Sequence, residues 1–224
     1  MKKIIKEAFV ASIPVLMGYI VLGMAFGMLV QAQGYPIYYT LLMSVFIYAG
    51  SMQFVTINLL TSGASLISAA LMTIFINARH LVYGLSMLDR FKSMGKYKPY
   101  MIFSLTDETY SLLVAEKNND KRYLFFISLF DQCYWVIGSL MGGALGSFVQ
   151  INTKGLDFAM TALFIVIVLD QYLNSEKHLP TYLGFVISII CLMIFGSTSF
   201  IIPSMIGILV SLIGMYKKEG NYEA

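Results

Sequence analysis

The chain has 224 residues, of which 58% are hydrophobic and only 12% charged, with a mean hydropathy of +0.76 and a formal net charge of +3. A soluble globular domain carries about twice that charged fraction. These residues therefore cannot cover a water-facing surface, and the small positive balance forms nothing like a nucleic-acid patch. After Glu7 the next charged side chain is Arg79, a second uncharged run lies between Asp131 and Lys154, and only His178 interrupts the stretch from Lys177 to Lys217. A bilayer-spanning helix takes about 20 mainly apolar residues, so the first run alone has room for three.

The opening Met1-Lys-Lys-Ile-Ile-Lys6 is followed by an apolar run too long for a signal peptide, with no small-x-small cleavage site at its end; the first helix is expected to be retained. Apolar helices are predicted at 8–32, 37–61, 64–89, 99–116, 122–149, 156–174, 179–196 and 199–216. Gly34-Tyr35-Pro36 breaks the chain after the first, and Thr61-Ser62-Gly63 makes a tight turn after the second. The fourth is the weakest, because Thr106-Asp107-Glu108 sits in its middle. Cys133 and Cys191 lie in different apolar segments and read as small membrane-buried side chains, not as a disulfide or metal site. The expected fold is an all-α polytopic integral membrane helix bundle of roughly six to eight transmembrane segments, in one domain over 1–224.

Gly23-Met-Ala-Phe-Gly-Met-Leu-Val-Gln31 is similar to Gly142-Gly-Ala-Leu-Gly-Ser-Phe-Val-Gln150, and each is followed by a break and an apolar helix with an early threonine (Thr40, Thr161). A true repeat would give two related halves, 1–117 and 118–224, with broken or re-entrant helices and a substrate site between repeats. Common membrane-helix composition would give the same likeness. Lys2, Lys3, Lys6, Lys217 and Lys218 place both termini in the cytoplasm. The loop with Arg90, Lys92, Lys96 and Lys98 conflicts with three preceding spans, so either it is an exception or an earlier segment re-enters without crossing.

Polar groups inside a bilayer are costly and normally face a protein or water-filled interior. Tyr48-Ala-Gly-Ser-Met-Gln53 lies near the middle of the second segment. There Gly50 and Ser51 can unwind the helix, exposing N–H and C=O groups to the carboxylate and ammonium of an amino acid, and Gln53 adds a neutral donor and acceptor. A plain Gly/Ser packing site has the same composition. Asn77, His80 and Gly84 share one helix face, with Gly84 suited to close approach of a neighbouring helix. Arg79 can pair with a carboxylate of protein or substrate, or reach a membrane surface, and His80 can carry a coupling proton. Asp107 and Glu108 point in different directions on a helix and so suit different partners: one can neutralise Arg79 and the other bind a proton or a substrate amine, while a solvated surface turn on a non-spanning segment would account for the same residues. Asp131-Gln132 with Trp135, and Asp170-Gln171, place further acids in or near apolar runs, Asp131 as another proton candidate. A phosphate loop with lysine and a zinc spacing are both missing from the sequence, which reads as a non-enzyme without cofactor or metal.

The order Gly23-Met-Ala-Phe-Gly27, Tyr48-Ala-Gly-Ser-Met-Gln53, Ile76-Asn-Ala-Arg-His80 with Tyr83-Gly84, and Thr106-Asp-Glu108 resembles the AzlC family over essentially the full length. That family is the large subunit of two-component branched-chain amino acid exporters. The resemblance implies a plasma-membrane permease for an amino acid substrate, driven by a proton or ion gradient, with a small hydrophobic AzlD-type subunit as partner. It carries over Gly50, Ser51, Gln53, Asn77, Arg79, His80, Thr106, Asp107 and Glu108 as site residues.

Overall fold

The computed structural model describes residues 1–148, 165, 168–169, 172–173 and 178–220. Every regular element among them is helical, as expected of a helical membrane bundle. The chain divides into two compact units, Met1–Met160 and Thr161–Ala224.

The first unit is built on two long helices, α1 (Lys2–Ala32) and α8 (Lys121–Phe148). Their 31 and 28 residues correspond to roughly 40–46 Å at 1.5 Å per residue, enough to pass beyond a ~30 Å hydrocarbon core. They run parallel, since Ser12 meets Tyr134 at 2.9 Å and, further along both helices, Gly27 meets Gly143. Glycines make this contact possible. A Cβ on Gly23 would lie 2.9 Å from the Ser139 amide nitrogen, and one on Gly138 would lie 2.8 Å from the Ile20 carbonyl. Gly27 sits against the Ser139 carbonyl and Gly142 against that of Met24. In lipid, where apolar burial does not drive helices together, such close backbone approach supplies the association. The two similar glycine stretches therefore pack directly on each other; Val149, Gln150 and Thr161 of that comparison lie outside the described residues.

With the α1 axis as membrane normal, the face holding Met1 is the N-terminal face. From the opposite face, α2 (Ile37–Leu42) begins against Gly143 and continues into a π-helical turn, Met43–Ile47. Gln132, eleven residues back along α8, bonds the Val45 carbonyl at 3.1 Å, so this limb descends to mid-depth. The chain reverses at Tyr48 (φ 40°) and Ala49, and α3 (Gly50–Thr61) climbs back, with Phe54 against Phe26. The segment 37–61 is thus a re-entrant hairpin. α4 (Leu66–Ser86) then crosses the full thickness to the N-terminal face. There Met87, Phe91 and Met94 join Ala8, Leu113, Leu124 and Ile127 in one buried cluster.

A short α5 (Leu88–Lys92) leads to a second hairpin from that face. Its limbs are α6 (Lys98–Phe103) and α7 (Asp107–Ala115), with the reversal at Ser104–Thr106. Tyr97 and Tyr100 pack on Phe125 near the start of α8, Thr109 reaches Asp131 deeper in, and Leu113 returns to the buried cluster. Arg90 closes the hairpin by donating to the carbonyls of Leu113, Glu116 and Asn118, a cation on the carbonyl end of α7. The basic loop that conflicts with a simple crossing count therefore lies on the same face as the N-terminus, because 37–61 turns back instead of crossing.

In the second unit, α9 (Leu179–Ser199) bends at Gly196 (φ 70°) and α10 (Ile201–Gly220) follows. A Cβ on Gly207 of α10 would lie 3.0 Å from Ile187 of α9. Asp170 and Gln171 lie outside the described residues. Among the described residues, four helices are long and apolar enough to cross a membrane alone: α1, α4, α8 and the Leu179–Gly196 part of α9.

Candidate functional site

The two hairpin tips enter from opposite faces and meet at mid-depth, where the ring of Tyr48 lies 6.2 Å from that of Phe103. Each tip ends in the N-terminus of a returning helix, an arrangement that points free amides and a positive dipole end at the membrane centre. The ends are finished differently. α7 is capped by Thr106, whose hydroxyl accepts the Thr109 amide at 3.3 Å, and carries Asp107 and Glu108 in its first turn. α3 has no side-chain cap and no acid in its first turn; its first amide with a backbone partner is that of Gln53, bonded to the Ala49 carbonyl at 2.8 Å.

Arg79 of α4 joins the tips. One guanidinium nitrogen pairs with Asp107 Oδ2 at 2.8 Å and another donates to the Ser51 hydroxyl. Each side chain of the ion pair keeps 25% exposure, while the Nε of Arg79 and the Oδ1 of Asp107 have no hydrogen-bond partner among the described residues. This settles the partners of the adjacent acids. Asp107 neutralises Arg79, whereas Glu108 turns to α1 and accepts from the Tyr19 hydroxyl at 2.8 Å.

The break falls one step before the glycine. Tyr48 and Ala49 leave helical geometry, and Gly50 opens α3 instead of unwinding it. The reason for glycine is packing: its missing Cβ would sit 3.4 Å from the Trp135 ring. The preceding π turn shifts the hydrogen-bond register, a device frequent at functional sites. Gln132 bonds both limbs' surroundings, donating to Val45 O and accepting from the Tyr100 hydroxyl at 2.7 Å.

Other expected residues are placed apart from the junction. Gln53 is fully buried and donates to Ser44 at 3.4 Å, linking the limbs of its own hairpin. Asn77 leaves its Oδ1 without a partner among the described residues, and its carbonyl contacts His80 Nδ1 at 3.2 Å. His80 otherwise packs edge-on to Tyr83. Gly84 has no heavy atom within 4 Å of its Cβ position among the described residues, so the close helix approach expected there is not made in the first unit. Asp131 is fully buried on α8 and accepts from Thr109 Oγ1 at 2.8 Å.

Sequence reasoning does not single out Tyr19 or Thr109. Tyr19 is an ordinary tyrosine in a 31-residue apolar helix, yet it reaches Thr106 at 2.6 Å and Glu108. The one available signal is Thr109's spacing of three from the capping Thr106.

The AzlC protein family matches residues 14–149, which contain both hairpins and every residue of the junction. The chain is 42% identical over 208 residues to the branched-chain amino acid transport protein AzlC of Bacillus subtilis strain 168, covering 91% of this chain and 82% of that protein. It is 42% identical over 221 residues to an uncharacterized membrane protein of Helicobacter pylori strain 26695, covering 97% and 96%. It is 29% identical over 177 residues to the inner membrane protein YgaZ of Escherichia coli K12, covering 74% and 72%. No solved structure matches. The chain belongs to the AzlC family.

Proposed function

We propose that this protein is the large subunit of a permease that exports branched-chain or related neutral amino acids by secondary transport. The observation that carries the reading is Arg79 held between the uncapped amino end of α3 and Asp107 of the facing hairpin. An amino acid is a zwitterion, and a broken-helix tip offers both kinds of partner side by side. Substrate carboxylate would take the α3 amides at Gly50 and Ser51 together with Arg79. The ammonium would take Asp107 once Arg79 releases it, with Glu108 close by and the carbonyl ends of the entering limbs adjacent. The aliphatic side chain would lie among the apolar surfaces around the tips. Thr106 fixes the carboxylates by capping α7, and His80 and Asn77 line the approach along α4. The two hairpins, entering from opposite faces, would open in alternation.

The N-terminal face carries Lys2, Lys3, Lys6, Arg90, Lys92, Lys96, Lys98, Lys117, Lys121 and Arg122, whereas connections 33–36 and 62–65 on the opposite face carry no charge. By the positive-inside rule this face is cytoplasmic, in the plasma membrane of a bacterial cell. The packing of the two similar glycine stretches supports related halves, and the family relationship supports a small AzlD-type membrane partner.

The test is efflux. Cells loaded with isoleucine- or valine-containing dipeptides should accumulate the free amino acid severalfold more when the gene is deleted, and Arg79→Ala should reproduce the deletion. Unchanged accumulation, with transport of some other solute restored by the gene, would overturn the reading.

A further inference from the structure

We propose that Glu108 and Asp131 are the two ends of a hydroxyl chain that holds a single proton between them and relays it across the centre of the first unit. The chain is continuous. Asp131 Oδ2 meets Thr109 Oγ1 at 2.8 Å, Thr109 Oγ1 meets Thr106 Oγ1 at 3.0 Å, Thr106 Oγ1 meets the Tyr19 hydroxyl at 2.6 Å, and that hydroxyl meets Glu108 Oε2 at 2.8 Å. It draws on three separate elements: α1, the α6–α7 hairpin and α8.

The proton count follows from the inventory of donors. A hydroxyl supplies one hydrogen, and an ionised carboxylate supplies none. Four links joined by three hydroxyls are therefore one hydrogen short when both acids are ionised, and any assignment leaves one link as two facing oxygens. At 2.6 Å the Tyr19–Thr106 pair cannot be that link. One added proton fills all four. Placed on Glu108, it donates to Tyr19, Tyr19 to Thr106, Thr106 to Thr109 and Thr109 to an ionised Asp131. Placed on Asp131, every donation reverses and Glu108 is the ionised end. Passage between the two states breaks four O–H bonds and forms four, each hydrogen moving one link. One proton passes from one carboxyl to the other and no other reactant takes part.

The environment favours a single shared charge. Asp131, Thr109 and Thr106 are buried, Asp131 completely, and Glu108 is half-buried; an ionised Asp131 without a donor would carry a large desolvation cost. Asp107 does not compete, because it is already paired with Arg79. The other titratable groups around the chain are Asp107 and Arg79 beside Glu108, Tyr48 beside Tyr19, Thr109 and Asp131, and Tyr100 and Tyr134 near Asp131. Among the described residues, Asp131 Oδ1 and the Tyr48 hydroxyl have no hydrogen-bond partner, so the α8 end of the chain retains an acceptor not used by the four links.

The inference rests on hydrogen-bond counting and stands whatever the transported solute is; its test uses no substrate. Infrared spectra of the purified protein in lipid at neutral pH should show one protonated-carboxyl carbonyl band per chain. Because an amide can donate, Glu108→Gln fills the missing link from one end and leaves Asp131 ionised. Asp131→Asn does the same from the other end. Either substitution alone should therefore abolish the band. Thr109→Val cuts the chain: the Glu108 side is then satisfied in its ionised form, and the remaining band belongs to Asp131, lost with Asp131→Asn and retained with Glu108→Gln in that background. Thr109→Ser should behave as the parent, which separates loss of the hydroxyl from loss of folding. Two bands in the parent, each removed only by its own substitution, or no protonated-carboxyl band at all, would overturn the relay.

Discussion

Arg79 makes two commitments at once, to a hydroxyl on one hairpin and a carboxylate on the other, and its Nε has no partner among the described residues. A guanidinium presents five donors in a fixed fork and suits an incoming carboxylate better than an ammonium does. Arg79→Lys should therefore keep the charge and the fold while lowering amino acid efflux by tenfold or more, on the order of 1.4 kcal/mol at least. The exchange Arg79→Asp with Asp107→Arg separates the two roles. It should restore the ion pair and normal membrane accumulation of the protein, yet leave efflux at the level of the deletion, because the cation then sits on the wrong hairpin. Recovery of efflux would show that the pair only holds the hairpins together. At this scale the sequence was informative where an ionisable residue interrupts an apolar run, as Arg79, Asp107 and Asp131 do. It was silent on Tyr19, because a tyrosine needs no charged partner, and the residue it meets lies 89 positions away.

Helix contacts in the first unit are of two kinds, and they predict different responses to substitution. The α1–α8 contact is backbone on backbone at Gly23, Gly27, Gly138 and Gly142. Gly27→Leu should separate the helices, lower the detergent-solubilised melting temperature and destabilise by about 1–3 kcal/mol or more, as overpacking does. Gly18, with nothing among the described residues within 4 Å of its Cβ position, should accept alanine with little change. The elements themselves were legible: the runs 8–32 and 122–149 correspond to α1 and α8, and the polar Thr106-Asp107-Glu108 marks the break in 99–116. The basic loop 90–98 left open that an earlier segment re-enters, but that 37–61 is the one that reverses was not legible. Two antiparallel half-helices have the same hydropathy as one spanning helix of equal length, and only contacts with Gly143 and Gln132 reveal the direction. The break is also displaced from its sequence signal, since Tyr48 and not Gly50 adopts the positive φ.

For the whole first unit, the order is a crossing helix, a hairpin from the opposite face, a crossing helix, a hairpin from the N-terminal face, and a third crossing helix. Single cysteines at Ser62 and Ser93, in a background with Cys133 and Cys191 replaced, should be labelled from opposite sides of the membrane by an impermeant thiol reagent. A spanning 37–61 segment would instead put Ser62 on the side of the N-terminus and exchange the two results.

The connections on the opposite face, 33–36 and 62–65, are four residues each and carry no charge. During biosynthesis these are the stretches that must be pushed through the insertion machinery, and a short neutral linker meets little resistance there. The architecture is consequently encoded partly by what those linkers lack. Two lysines introduced within 62–65 would anchor that connection on the side of synthesis, turn the first hairpin into a through-going helix, and invert everything that follows it.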